Sequence, residues 1–214
     1  MKLYTFFRSS ASYRVRIALN LKGLSYETAP VHLRRGGGEH LAPAYIAKNP
    51  QALLPALEDD GRVLTQSLAI IEYLEERHPE PPVLPKEAAD RALVRSMALA
   101  VACEVHPIQN LRVLNYLKNQ LKQSEDIANA WARHWIALGF SALEEMIAAG
   151  PRRGAFCFGD APTLADICLV PQLANARRFG SDLSGYRNIL RIEAECAKIP
   201  AFVEAAPENQ PDAE

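Results

Sequence analysis

The apolar positions in the first part of the chain change rhythm every few residues. The short apolar run "KLYTFF" (2 to 7) predicts a strand, and 12 to 22 places Val15, Ala18, Leu19 and Leu21 on the inner side of a helix that Gly23 closes. "SYETAPV" predicts a second strand, "RRGGG" (34 to 38) a mobile loop, and "HLAPAYIAKNP" a short irregular helix ending before Pro50. "LLPALEDDGRVLT" predicts two short strands joined through Asp60-Gly61, a strong hairpin dipeptide. "SLAIIEYLEERH" (67 to 78) spaces Leu68, Ile70, Ile71 and Leu74 along one helix face. The order βαβ-α-ββα predicts a small mixed sheet covered by helices.

The rhythm stops at "HPEPPVLPKE" (78 to 87), where four prolines in ten residues exclude both a helix and a central strand. This stretch predicts a domain boundary: a first domain over 1–80, a Pro-rich linker over 81–87 and a second domain over 88–214. In the second part no strand pattern occurs. Residues 88 to 121, 126 to 149, 163 to 178 and about 187 to 198 favour helix by length and period, which predicts a helical bundle. Thr163 followed by Asp166 is a capping-box pattern with a structural role.

Composition narrows the function. A chain of 214 residues with 49% hydrophobic content buries a real core. Its 24 basic and 25 acidic residues leave a net charge of -1, without the long basic blocks that a nucleic-acid partner requires. No segment reads as a signal peptide or as the roughly 20 apolar residues of a membrane span, so a soluble cytoplasmic protein is expected. Cys103, Cys157, Cys168 and Cys196 are widely spaced and have no C-x-x-C pairing, so they are expected as buried thiols, with no metal site.

The densest chemistry lies in "FFRSSASYRVRIAL" (6 to 19), at a strand-to-helix turn of thioredoxin-like type. Such a turn aims backbone N–H groups and the positive end of a helix dipole at an anion. Ser9-Ser10-Ala11-Ser12 stands where a dithiol motif would sit, so any thiolate must come from a bound molecule. A free cysteine-type thiol of pKa about 8.5 is only about 3% ionised at pH 7. A serine hydroxyl donating to sulfur at a helix N-terminus shifts that balance towards thiolate. The same serines equally suit an ordinary helix cap. Leu54-Pro55, opening the third strand, suits an edge or a cis turn whose backbone pairs with an extended ligand. Gln66-Ser67, at the next strand-to-helix junction, offers a hydroxyl and N–H groups to a carboxylate, or a plain cap. Together these features describe a groove for a peptide with a central thiol and terminal carboxylates.

Those residues, with "NPQALLPAL", "LTQSLAIIEYLEE", "HPIQNLRVLNYL", "GDAPTLADICLVPQLANARRF" and the terminal "QPDAE", make nearly the whole chain resemble the zeta-class glutathione transferases, a class that includes maleylacetoacetate and maleylpyruvate isomerases. The resemblance implies an α/β plus all-α fold, a thioredoxin-like N-terminal domain followed by an all-helical domain, paired as a homodimer with glutathione as cofactor. It assigns Ser9, Ser10 and Arg14 to the thiol motif, Leu54 before Pro55 to backbone pairing, and Gln66 and Ser67 to the γ-glutamyl end. His40 falls near the glycyl end, or is a surface histidine in a loop. Gln109, Asn110 and Leu111 fall where the family closes the site, although "HPIQN" also reads as a helix irregularity at Pro107. One departure stands out: the family motif is Ser-Ser-Cys-Ser, and here Ala11 replaces the cysteine.

The implied activity is glutathione-dependent cis–trans isomerisation. The thiolate adds to a double bond conjugated to carbonyls, the bond rotates as a single bond, and the thiolate leaves. A dicarboxylic keto acid calls for cations, of which Arg8 comes first, as a catalytic and substrate-binding residue, followed by Arg112, Arg177 and Arg178, each of which also suits a solvated face. "QNLRVL" favours maleylacetoacetate and so aromatic amino acid catabolism, whereas a non-cysteine at position 11 also occurs in the maleylpyruvate type. A general transferase or dehalogenase, and a non-catalytic binding module on the same scaffold, are the alternatives.

Overall fold

The computed structural model describes residues 1–214. Contacts divide the chain into two units, Met1–Val83 with Ala197–Glu214, and Leu84–Cys196.

The first unit holds a four-stranded sheet of order β2-β1-β3-β4, built from β1 (Lys2–Thr5), β2 (Glu27–Pro30), β3 (Ala56–Asp59) and β4 (Arg62–Thr65). β1 runs parallel to β2 and antiparallel to β3, and β3 pairs antiparallel with β4. The β3–β4 turn has positive φ at both Asp60 (47°) and Gly61 (73°), the type I′ pattern that the Asp-Gly dipeptide favours. Alternation along paired strands sends Leu3 and Leu57 to one face and Tyr4 and Ala56 to the other. On the first face lie α1 (Ser10–Leu21) and α3 (Ser67–Arg77), whose Val15, Ile17, Leu19, Ile70, Ile71 and Leu74 are fully buried. The other face carries Phe6, Phe7, Val31, Leu54 and Tyr45, the last on the short helix α2 (Pro43–Ile46). The "RRGGG" segment is not a featureless loop: it forms two 3-10 turns, Arg35–Gly37 and Glu39–Leu41. His32 organises them by accepting from the N–H groups of Arg34 and Arg35.

The prolines behave differently from a free linker. Lys22, just past α1, sends its buried Nζ to Glu75 Oε2 at 2.7 Å and to the carbonyls of His78 and Pro81, and Glu75 also accepts from Val83 N. This buried pair fastens 78–83 onto the first unit; removing either partner costs roughly 3–5 kcal/mol by stranding the other charge.

The expected second domain of 88–214 also loses residues 197–214, which return to the first unit. Here α9 (Pro200–Glu204) packs on α1. Three α1 side chains bind its carbonyls and those just beyond: Tyr13 Oη to Phe202, Asn20 Nδ2 to Ala201 and Arg16 Nε to Ala205. Covered by α3 and α9, α1 is buried at every position from Ser12 to Leu19.

The second unit is all helical: α4 (Ala88–Leu99), α5 (Leu111–Asn119), α6 (Glu125–Ala149), α7 (Leu164–Arg178) and α8 (Arg187–Cys196). The helix expected over 88–121 is broken. After α4 the chain widens into a π turn (Ala100–Val105), tightens into a 3-10 turn (Pro107–Gln109), and restarts at Asn110. Pro107 removes a backbone donor there. Gly139 of α6 lets the π turn come close, because a Cβ at that position would lie 2.1 Å from Val105 Cγ2. The capping box forms as expected at Thr163 and Asp166 and opens α7. Cys157, Cys168 and Cys196 are buried, and burial pushes the Cys157 and Cys196 thiols up; Cys103 is exposed, contrary to expectation. No helix is long and apolar enough to cross a membrane.

Candidate active site

At the end of β1 the chain turns through Phe6–Arg8 into α1. Ser9 is the N-cap, and its Oγ accepts from Ser12 N at 3.2 Å. This is the cap reading of Ser9; a cap uses an oxygen lone pair and does not consume the hydroxyl proton. Ser10 is 6% exposed and Ser12 is fully buried. The Arg8 guanidinium lies over the Phe7 ring at 5.1 Å, and its buried Nε has no hydrogen-bond partner. Burial, and then the nearby Arg34, lowers its pKa from the usual value.

The second helix N-terminus of this unit lies at Gln66–Ser67. Gln66 has φ +70°, and its amide donates to Gln51 Oε1 at 2.7 Å instead of capping α3, which has no side-chain cap and no acid in its first turn. Ser67 is the first residue inside α3, not its cap, and its Oγ accepts from Arg14 Nη1 at 3.3 Å. Arg14, 2% exposed, thus ties the start of α3 to α1. The Leu54-Pro55 peptide is cis, and β3 pairing begins at Ala56, so the Leu54 backbone lies outside the ladder. Just ahead of it, Leu53 O accepts from Tyr45 Oη and Asn49 Nδ2, both at 2.7 Å. His40 is half-buried, burial lowers its pKa, and its buried Nδ1 is unpartnered. Its ring fits because Gly38 (φ +113°) has no Cβ, which would sit 2.5 Å from His40 Cε1.

Sequence reasoning missed Arg16 and Asp212. Arg16 is fully buried, with burial pulling its pKa to about 10, and it donates to Thr5 Oγ1 and to the carbonyls of Phe6, Phe7 and Ala205. Asp212 Oδ2 accepts from Phe7 N at 3.0 Å. No local pattern reveals either, because the partners are as much as 205 residues apart.

The second unit holds the other candidates. Gln109, 3% exposed, donates one N–H of its Nε2 to Gln172 Oε1 at 2.8 Å. Asn110 caps α5 by accepting from Arg112 N, Leu111 opens the helix, and the Arg112 side chain is exposed. Arg177, one of the expected substrate cations, forks its guanidinium onto both carboxylate oxygens of Glu193. Arg178 lies over the Phe179 ring at 4.7 Å.

The chain is similar to known proteins over nearly its whole length. Residues 3–82 match the glutathione S-transferase N-terminal domain, and residues 129–197 the C-terminal domain. The chain is 51% identical to a maleylacetoacetate isomerase of Pseudomonas aeruginosa over 213 residues, covering 99% of this chain and 98% of the relative. A holo maleylpyruvate isomerase, described as a bacterial zeta-class glutathione S-transferase, superposes with a TM-score of 0.97 at 50% identity over 100% of both chains. A maleylacetoacetate isomerase of Methylobacterium extorquens AM1 with bound malonate and GSH superposes at 0.96, with 40% identity over 100% of both. With a thioredoxin-like sheet, a helical second unit and matches across nearly its whole length, the chain belongs to the glutathione transferase family, in its zeta class.

Proposed function

We propose that this chain is a glutathione-dependent cis–trans isomerase of a maleyl-type keto acid, converting maleylacetoacetate to fumarylacetoacetate. The observation that carries the reading is the pair of helix N-termini in the first unit: Ser9 keeps a hydroxyl proton free at one, and the other has donors that no side chain caps. Glutathione fits that frame because it has an acidifiable thiol and terminal carboxylates, and when bound it supplies a reversible thiolate nucleophile that is not consumed.

The residues divide the work. The Ser9 hydroxyl donates to the sulfur and stabilises its anion, helped by Ser10 and the first N–H groups of α1. Ser67, held by Arg14, and Gln66 receive the γ-glutamyl carboxylate at the start of α3. The Leu54 backbone, free of the β3 ladder, pairs with the cysteinyl unit, and the buried His40 Nδ1 is available towards the glycyl end. Arg8, with an unpartnered Nε, takes a substrate carboxylate; Arg112 and Arg178 are the remaining cations. The class resemblance also supports a cytoplasmic homodimer. A second reading, maleylpyruvate as substrate, has its own support in Ala11 and in the similarity to the holo maleylpyruvate isomerase.

The test adds glutathione to the purified protein and follows maleylacetone and maleylpyruvate in parallel, with Ser9→Ala as control. Turnover that needs glutathione, is faster with maleylacetone and falls about a hundredfold in Ser9→Ala supports the reading. Preference for maleylpyruvate supports the second. Glutathione binding without isomerisation leaves a transferase acting on other electrophiles, and absence of binding leaves a non-catalytic module.

A further inference from the structure

The turn that carries Arg8 and Ser9 is gripped from behind at consecutive peptide groups. The Phe7 N–H goes to Asp212 Oδ2 (3.0 Å), the Phe7 carbonyl accepts from Arg16 Nη2 (3.0 Å), and the Phe6 carbonyl accepts from both Arg16 Nη1 (3.4 Å) and Ser9 N (2.9 Å). Arg16 reaches further to Thr5 Oγ1 at 3.0 Å and to Ala205 O at 2.9 Å. No carboxylate lies in ion-pair contact with this guanidinium, which is spent on carbonyls and a hydroxyl. Burying a charge is costly, and here the cost is offset by hydrogen bonds, most of them to the carbonyls of this turn and of Ala205.

We propose that Arg16 and Asp212 are positioning residues for the thiol turn: they clamp the Phe6–Arg8 backbone from opposite sides and so fix where the Ser9 hydroxyl and the Arg8 guanidinium point. Neither touches the ligand. The Arg16 fork fills the carbonyl side and a carboxylate from residue 212 fills the N–H side, so rotation of the Phe7 peptide breaks strong charge-assisted bonds at both ends. Asp212 Oδ1 is buried without a partner, so the carboxylate is held by the Phe7 N–H and by the field of nearby Arg16, whose charge it favours. Thiolate stabilisation depends on a hydroxyl aimed within fractions of an ångström, and small misplacements are costly.

The inference rests on the reading of this turn as the glutathione thiol site, and the experiment separates the two. Asp212→Ala, Asp212→Asn and Arg16→Lys are compared with wild type for kcat and KM, for glutathione affinity by calorimetry, for melting temperature, and for the pH midpoint of the thiolate ultraviolet band of bound glutathione. Asp212→Ala should raise that midpoint and lower kcat about tenfold while glutathione affinity stays within about twofold. Asp212→Asn keeps an acceptor for Phe7 N–H and should recover most of the loss; Arg16→Lys, lacking the fork, should not recover. A wild-type midpoint and kcat in Asp212→Ala, or a kcat loss matched by the loss of folded protein, overturns the clamp, whether or not Arg16→Lys folds. If wild-type protein binds glutathione without ionising its thiol and Ser9→Ala changes nothing, the thiol-site reading fails first and takes the clamp with it.

Discussion

Two helices of this protein begin in opposite ways. At α7, the fully buried Asp166 accepts from Thr163 N (2.7 Å), Thr163 Oγ1 (2.9 Å) and Cys157 N (2.8 Å). At α3, the N-cap Gln66 turns its amide away to Gln51, and neither a side-chain cap nor an acid serves the first turn. Every helix N-terminus presents the same unsatisfied donors and the same positive end. The protein closes one with its own carboxylate and leaves the other without a side-chain cap, the end at which the proposed function seats the γ-glutamyl carboxylate. Stability and function are thus two uses of one local chemistry, told apart by where an acidic side chain is placed.

The largest effect should follow from opening the closed end. Asp166→Ala strands the buried N–H groups of Cys157 and Thr163 and should lower stability by about 2–4 kcal/mol in urea unfolding, with glutathione affinity of the folded protein within about twofold of wild type. Equal loss of affinity and stability would mean that the two helix ends are not independent. Next, Ser67→Ala should weaken glutathione binding about tenfold, or roughly 1.4 kcal/mol by calorimetry, and should also lower the melting temperature, because it removes an acceptor of the buried Arg14. A variant that melts lower and binds normally would make Ser67 structural. Sharper still is Ala69→Glu, which puts an acid in the first turn of α3 as α7 has: helix stability should rise by about 0.3–1 kcal/mol while glutathione affinity falls about threefold. Tighter binding in that variant would sink the comparison. The smallest signal is a slope. Burial raises the Asp166 pKa despite its hydrogen bonds, so the folded value lies above the unfolded one. Its contribution is then full below the ordinary aspartate range near 4 and is lost as pH rises through the folded value. Asp166→Asn should flatten that decline in unfolding midpoints measured upward from about pH 4; an unaltered slope would assign it to other groups.

Local signals made much of this legible. The hairpin at Asp60-Gly61, the closure of α1 at Gly23 and the Thr163/Asp166 box each depend on residues a few positions apart, and sequence displays such neighbours directly. Ser9 is legible as a cap or as an anion holder; the structure forms the cap with the oxygen of Ser9 and leaves its hydroxyl proton outside that bond. What sequence hid is long-range. The break after Leu99 depends on Gly139 yielding space to Val105, and the committed charge of Arg177 depends on Glu193. Arg16 carries no local signal of its role, because its acceptor at Ala205 lies 189 residues away. Periodicity assigns the faces of α1 correctly only until α9 covers the side left for solvent.

The Phe7–Asp212 bond spans 205 positions, and this has a consequence for synthesis. A chain growing from its N-terminus can pair β1 with β2 and close the β3–β4 hairpin early, since those contacts are comparatively local. The ribosome must still deliver residues 197–214 before the far side of α1 is covered. A nascent or prematurely ended chain therefore lacks both Asp212 for the Phe7 N–H and the Ala205 carbonyl for Arg16, and the backbone leading into Ser9 gains these bonds only when residues 197–214 join the first unit.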